Sequence, residues 1–343
     1  MKKIDVSVVM AATRTVEEYF EAAVMSILNQ DFYNFEFIIV DDCLSKENRD
    51  FLEHIDDSRI IILSNETNLG QSRSVNKALS VASGKYIVRM DSDDIALSDR
   101  LSVQVEYMEQ HPECLACGGF AETTDQHRII PSDYPDSISR KVGFLFSCDM
   151  VHPTMVIRRE AITKYGLHYD EKQLYAQDYM MWIDVMRFGD IGMASSSVLK
   201  YRIHAGQISS QKSKMQEFYA VRAQKKCFEL FGFDENSIDL IFHNELIKHG
   251  LNAPLSKIKC HLNGLISQAS MCMSATIKES FLKELNYRML KAGIRELVYK
   301  GNTKNGLYFI LSCGRKIKYW RYYIVRSKTP HKISSDRSLN ASI

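Results

Sequence analysis

Proline is scarce in this chain, six residues in 343, and hydrophobic, charged and aromatic residues stand at the globular average of 45%, 25% and 10%. That balance excludes a collagen-like, repeat-built or disordered polymer. Long apolar runs are missing too: no window reaches the roughly 18 consecutive apolar residues of a membrane span. The opening MKKIDVSVVMAATRT has basic residues but no long apolar core, so neither a signal peptide nor a transmembrane helix is expected. There is little charge of one sign. Lys and Arg number 44 against 42 Asp and Glu, a formal net charge of +2, which gives no reason to propose nucleic-acid binding. Eight cysteines (Cys43, Cys114, Cys117, Cys148, Cys227, Cys260, Cys272, Cys313) lack the regular spacing of a secreted disulfide scaffold, which points to a reducing, cytoplasmic compartment. Cys114 and Cys117 form a CxxC, but no second pair stands at zinc-ligand spacing, and their neighbours Leu115, Ala116 and Gly118 mark a buried strand end. No GxGxxG follows any strand, and AATRT after the first strand has no glycine. A dinucleotide-dependent oxidoreductase and a nucleotidyltransferase are both disfavoured.

The chain is two to three common domains long. Short β-branched runs, IDVSVVM at 4–10, FEFIIV at 35–40, RIIIL at 59–63 and KYIVRM at 85–90, alternate with helical spacing near 15–29, 46–55 and 70–82. Strands alternating with helices predict a doubly wound α/β fold, a mostly parallel sheet covered on both faces. A helix capped by Ser98 and stopped at His111-Pro112, then a strand at 114–120, continue the pattern. Residues 121–140, with Pro131 and Pro135, read as a loop or an inserted crossover. TMVIRR at 154–159, a helix near 178–188 and VLKYRIH at 198–204 restore order. Beyond about 207 the spacing is helical, over 207–231, 237–249 and 278–299, so the expected division is 1–210, 211–312 and a tail 313–343. The tail carries Arg315, Lys316, Lys318, Arg321, Arg326, Lys328, Lys332 and Arg337 against Asp336, with Tyr319, Trp320, Tyr322 and Tyr323 among them. This composition suits contact with an anionic membrane surface, or simply a solvated tail.

The strongest chemical signal is Arg89-Met90-Asp91-Ser92-Asp93-Asp94, a β-branched run ending in three acids. Ligands of α/β sheets bind at strand carboxyl ends, and residues two apart in an extended segment project to one side, so Asp91 and Asp93 converge. Two convergent carboxylates ask for a cation. Oxygen ligation of this kind suits Mn²⁺ or Mg²⁺ bridging to a diphosphate. The bland alternative is an acidic turn before a helix. Asp41-Asp42 closes the second strand, where a carboxylate suits a nucleobase N–H or ribose hydroxyl, or merely a helix start. In Asn68-Leu69-Gly70-Gln71-Ser72-Arg73 the glycine permits a tight approach and Arg73 is available to a phosphate or uracil carbonyl, although the segment also reads as an ordinary helix start.

Taken together these segments resemble the family 2 inverting glycosyltransferases of GT-A fold, especially bacterial enzymes of O-antigen, capsule or exopolysaccharide synthesis. VSVVM, SILNQDFYNFEFIIVDD, NLGQSRSVNKAL, ASGKYIVRMDSDD, SDRLSVQ, HPTMVIRR, AQDYMMWIDV and KYRIHAGQIS stand in the family's order over about 4–210. The resemblance implies that Asp42 contacts the base of a UDP-sugar, with Ala11 and Thr13 lining that pocket, and that Asp93, with Asp91, holds the metal on the diphosphate. His204 matches a histidine that some relatives place near the metal, and His152 a segment under the acceptor site. Asp178 matches the catalytic base. Two departures are visible: Ala11-Ala12-Thr13-Arg14 replaces a Pro-Val-Tyr-Asn-like run, and Gln177-Asp178 replaces Glu-Asp. The expectation is a metal-dependent, inverting hexosyl- or N-acetylhexosaminyl-transferase acting on a lipid-diphosphate-linked glycan at the inner face of the cytoplasmic membrane. The competing expectation is a non-catalytic nucleotide-sugar-binding scaffold, which should lose Asp91, Asp93 or Asp178. All three are present.

Overall fold

The computed structural model describes residues 4–130, 134–204, 213–249, 253–299 and 306–308; the basic aromatic tail lies outside the described residues. Two compact units result. One holds residues up to 130 and 150–216, the other 134–149 and the described residues from 217 onward.

The first unit alternates as the spacing predicts: β1 (Val6–Ala12), α1 (Glu17–Leu28), β2 (Phe35–Asp41), α2 (Lys46–Glu53), β3 (Ile60–Ser64), α3 (Gln71–Val81) and β4 (Tyr86–Met90). After β5 (Ile95–Ala96), α4 (Arg100–Gln110), β6 (Cys114–Thr123) and β7 (Ile129–Ile130), the chain passes through α5 (Ser137–Gly143) of the other unit. It returns with β8 (Val156–Arg158), α6 (Arg159–Tyr165), α7 (Gln177–Met186) and β9 (Asp190–Tyr201). The strand order is β3-β2-β1-β4-β8-β6-β9-β5, with β7 on β6. The pairs among β1 to β4 are parallel, because helical crossovers connect them. The other half is mixed: β8 runs antiparallel to both β4 and β6, and β5 antiparallel to β9.

Burial explains the strand sequences. Every residue of β4 is buried, including Arg89, and β1 is buried except for the half-exposed Ala11. Two-sided cover gives continuous apolar runs instead of alternation. The α1 residues Phe20, Ala23, Val24, Ile27 and Leu28 recur at helical spacing, and all are buried. Cys114 and Cys117 are buried thiols of β6, as expected.

Three local expectations need correction. Asp99, not Ser98, is the N-cap of α4, and its side chain makes no capping bond; Gln30 Oε1 instead accepts the Leu101 N–H at 3.0 Å. The stretch 121–140 is more regular than a loop, holding the end of β6, all of β7 and the start of α5, which Asp136 caps by accepting the Ser139 N–H. Strand β9 begins at Asp190, eight residues early, and ends three before His204, because the glycine and serines of DIGMASSS dilute its apolar pattern.

The second unit comprises α5, α8 (Ser213–Leu230, from its second turn), α9 (Leu240–His249), α10 (Leu255–Cys272) and α11 (Ala275–Tyr299). An aromatic core holds it together: Phe146 stacks on Phe281 at 5.8 Å, and Phe228 meets Phe233 edge-on at 5.1 Å. Arg288 joins Asp149 at 2.8 Å and Glu284 at 2.7 Å, tying 134–149 to α11 across a long sequence separation. Among the described residues no helix is long and apolar enough to cross a membrane.

Candidate active site

Strand β1 lies between β2 and β4, so the crossovers leaving its two sides diverge and open a crevice at the carboxyl ends of β1, β2 and β4. That reversal of strand order is where an α/β sheet binds its ligand. The ends of these strands carry Ala11 to Thr13, Asp41-Asp42 and Asp91 to Asp94.

The acids after β4 form one cluster. A carboxylate oxygen from each of Asp91, Asp93 and Asp94 lies within 4.8 Å of the other two. Asp94 joins the pair that the spacing singled out. It is 1% exposed, its Oδ1 accepts the Arg202 N–H at 2.9 Å, and its Oδ2 is buried without a hydrogen-bond partner. Burial raises its pKa well above the carboxylate range, and Asp91 and Asp93 push the same way. Asp91 is raised by burial against the pull of Arg89, with Asp93 adding repulsion. His204 stands beside the cluster, its Nε2 2.9 Å from Asp93 Oδ2 and its ring centroid 5.5 Å from that of Tyr19.

Beneath the acids sit two buried guanidinium groups. Arg89 donates to Asp91 Oδ1 at 2.5 Å. Arg100, 0% exposed, donates to the Arg89 carbonyl at 2.7 Å and to Gln104 Oε1 at 3.0 Å, and burial pushes its pKa down to about 9. Arg89 and Arg100 thus place two cations beneath the three acids. The all-oxygen donor set, with an unpartnered buried oxygen on Asp94, fits a hard divalent cation. Asp91, Asp93 and Asp94 would hold it.

The second wall is built on Asp42, which is 3% exposed. Its Oδ1 accepts Asn65 Nδ2 at 2.9 Å and the Leu69 N–H at 2.7 Å, while its Oδ2 accepts the Gly70 N–H at 2.9 Å. Gly70 has φ +82°, a left-handed conformation that favours glycine, and it caps α3. The Asp42 N–H donates to the Ala12 carbonyl at 2.8 Å, and Asn68 Nδ2 reaches both Thr13 Oγ1 at 3.0 Å and the Asp42 carbonyl at 3.1 Å. Thr13 and Asp42 are thus brought together, while Ala11 lies one residue back on β1, paired with Val40 of β2. Arg73 is engaged elsewhere, donating to Glu171 at 3.0 Å with more than half its side chain exposed. Asp41 has a different task. Burial opposes its ionisation, but Arg49 and the Leu44 N–H hold its pKa below the usual range.

Asp178 is half-buried in the first turn of α7, where a helix dipole favours an acid. It is not the N-cap, which is Ala176 in a left-handed conformation at φ 51°. Cys43, next to Asp42, is likewise left-handed at φ 71°. Non-glycine strain of this kind persists where surrounding structure over-determines the backbone. Under α7, His152 Nε2 and the Tyr169 hydroxyl share a 2.8 Å hydrogen bond, and burial, then Arg89, keeps His152 well below its usual pKa. The Gln177 amide reaches Gln71, whose own amide donates to Asp91 Oδ1 at 3.3 Å. Sequence reasoning passed over Asp94, Gln71 and Arg100. A cation inside the wholly buried strand YIVRM was the one local sign that charges are compensated below this site.

The profile of "Glycosyl transferase family 2" matches residues 7–166. The chain is 29% identical over 314 residues to an uncharacterized glycosyltransferase of Haemophilus influenzae, covering 85% of this chain and 97% of that one. It is 35% identical over 229 residues to an uncharacterized glycosyltransferase of Methanocaldococcus jannaschii, covering 64% and 78%. The Escherichia coli UDP-Glc:alpha-D-GlcNAc-diphosphoundecaprenol beta-1,3-glucosyltransferase WfaP is 28% identical over 211 residues, covering 61% and 81%. Staphylococcus aureus TarS 1–349 in complex with UDP-GlcNAc superposes with a TM-score of 0.56 at 15% identity, over 95% of this chain and 91% of that chain, which establishes the shared GT-A fold. This chain belongs to glycosyl transferase family 2.

Proposed function

We propose that this glycosyltransferase inverts the anomeric centre as it moves a hexosyl or N-acetylhexosaminyl group from a UDP-sugar to a hydroxyl of a lipid-diphosphate-linked glycan, in cell-surface polysaccharide synthesis. The observation that carries the reading is the convergence of Asp91, Asp93 and Asp94 at the crevice where the strand order reverses. The donor and acceptor classes follow the activity in the name of the Escherichia coli relative.

In this reading the base sits over Asp42 with Ala11 and Thr13 beside it, and the diphosphate faces the acids and His204, with Arg73 leaving Glu171 to meet a phosphate. Mn²⁺ or Mg²⁺ bound there would offset the charge growing on the departing diphosphate. Asp178 takes the proton of the acceptor hydroxyl as its oxygen bonds to the anomeric carbon, from the face opposite the leaving nucleoside diphosphate. One bond forms as the other breaks, and the configuration inverts. Holding donor and acceptor in line supplies much of the acceleration. Residues 1–210 carry this chemistry, 211–312 form the helical C-terminal region, and 313–343 would hold the enzyme to the anionic cytoplasmic membrane face, with no part for nucleic acid.

The test is a thermal-shift screen of UDP-, GDP- and CMP-sugars with Mn²⁺, comparing wild type with Asp93→Ala. One UDP-sugar should raise the melting temperature of the wild type alone. No shift with any nucleotide in folded protein would overturn the reading.

A further inference from the structure

Gln71 is the first residue of α3 and Gln177 the first of α7, 106 positions apart in sequence, and their side chains meet at the crevice. Gln177 Nε2 donates to Gln71 Oε1, and Gln71 Nε2 donates to Asp91 Oδ1. Asp91 in turn accepts from the buried Arg89. A continuous hydrogen-bonded path therefore runs from the turn that presents Asp178 to the acids of β4. The start of α3 is itself anchored, since the Gly70 N–H just before Gln71 is held by Asp42.

An amide is a neutral group that serves both ends of this path. It offers a carbonyl towards Gln177 and an N–H₂ towards a carboxylate. A carboxylate at 177 has no proton to give Gln71 Oε1 when ionised. To accept instead, the Gln71 amide would have to turn over and set its oxygen against Asp91, leaving two acceptors face to face. Gln177 is thus matched to Gln71.

We infer that Gln71 is a positioning residue that, paired with Gln177, fixes the Asp178 turn in register with the Asp91 carboxylate, so that the acceptor and donor sides of the transfer are set by one hydrogen-bonded relay. The inference rests on the transferase reading of the preceding section. Neither glutamine touches the reacting atoms in this account. They act through Asp178 and Asp91.

The experiment is a cycle in the full chain: Gln71→Met, Gln177→Met and the double variant, assayed with the nucleotide sugar that stabilises wild type. Urea unfolding without substrate is followed in parallel. Each single variant should lose about tenfold in kcat with donor KM held within about twofold, because the relay orders the attack and does not bind the donor. The double variant should be no worse than the poorer single, since either break interrupts the same path. Gln177→Glu adds a readout that a merely structural contact would not move. Its kcat relative to wild type should fall between about pH 3.5 and about pH 5.5, as the introduced carboxyl group, with an ordinary Glu pKa of about 4.3, ionises and loses the proton it donates to Gln71. Multiplicative losses in the cycle, or a flat ratio against pH, in variants that unfold normally would overturn the relay alone. Wild type that transfers no sugar from any nucleotide would overturn the transferase reading, and the relay with it.

Discussion

The carboxylate of Asp42 holds the backbone N–H of Gly70 at 2.9 Å. A side chain at the end of β2 thereby sets the start of α3, and the Leu69 N–H at 2.7 Å makes the clamp two-pronged. The residue proposed to meet the nucleotide base is therefore also an organiser of the crevice wall.

Asp42→Asn should cost stability as well as donor binding. An amide offers one acceptor oxygen where three donors now converge, and hydrogen bonds to a charged acceptor are the stronger kind. A loss of about 2 kcal/mol is expected from urea midpoints, together with weaker stabilisation by the UDP-sugar. Unchanged midpoints would show that the clamp contributes nothing to the fold.

Asp94 is expected to trade stability for function. Its buried carboxyl group is crowded by two others, so Asp94→Asn should stabilise the metal-free chain by about 1 kcal/mol at neutral pH while abolishing its Mn²⁺-dependent rise in melting temperature. The sign follows from a folded-state pKa raised above the unfolded value of 3.8. The wild-type penalty is present above the folded pKa and fades as pH falls through it, being absent below 3.8, so the advantage of the variant should vanish in acid. A destabilised variant at neutral pH would refute the repulsion argument.

Much of this was legible because it is local. Apolar runs such as those of β1 and β4 reveal two-sided burial, and the i, i+3, i+4 spacing of Phe20, Ala23, Val24 and Ile27 reveals a covered helix face. Asp91 and Asp93 announced themselves at a strand end for the same reason. What escaped depends on distant partners. Strands β5 and β7 are two residues each and exist only because β9 and β6 pair with them. The segment 134–149 gives no local sign that it joins helices beginning near 217, and that assignment rests on pairs such as Arg288 with Asp149. Arg100 reads as an exposed helix residue until the Arg89 carbonyl is placed against it. Gln71 and Gln177 look like ordinary solvated amides until the fold brings them together.

For Asp178, replacement by asparagine keeps shape and removes the base. Asp178→Asn should lower kcat by about a thousandfold, within the range seen for loss of a general base, while melting temperature and donor stabilisation stay near wild type. A variant that transfers sugar within about threefold of wild type would remove Asp178 from the role and return attention to other groups under α7.

The helical unit carries its own pH dependence through His243. The imidazole is 0% exposed, its centroid lies 5.4 Å from Phe146 and 5.6 Å from Phe228, and its Nδ1 is 3.3 Å from His261 Nε2. Burial pushes its pKa down to about 3, with the neighbouring His261 acting in the same direction. In the unfolded chain the same group titrates near 6.5, so between these values only the unfolded state takes up the proton. Stability is then complete above the unfolded pKa and declines as pH falls, by about 1.4 kcal/mol for each pH unit from this group, until the folded pKa is reached. His243→Leu keeps the aromatic contacts apolar and removes the proton site. Urea unfolding at about pH 7 and about pH 5 should show a loss in the wild type that is larger, by about 1–2 kcal/mol, than the loss in the variant. Equal losses in the two proteins would mean that His243 is protonated as readily in the folded core as in water, which its burial between Phe146 and Phe228 argues against.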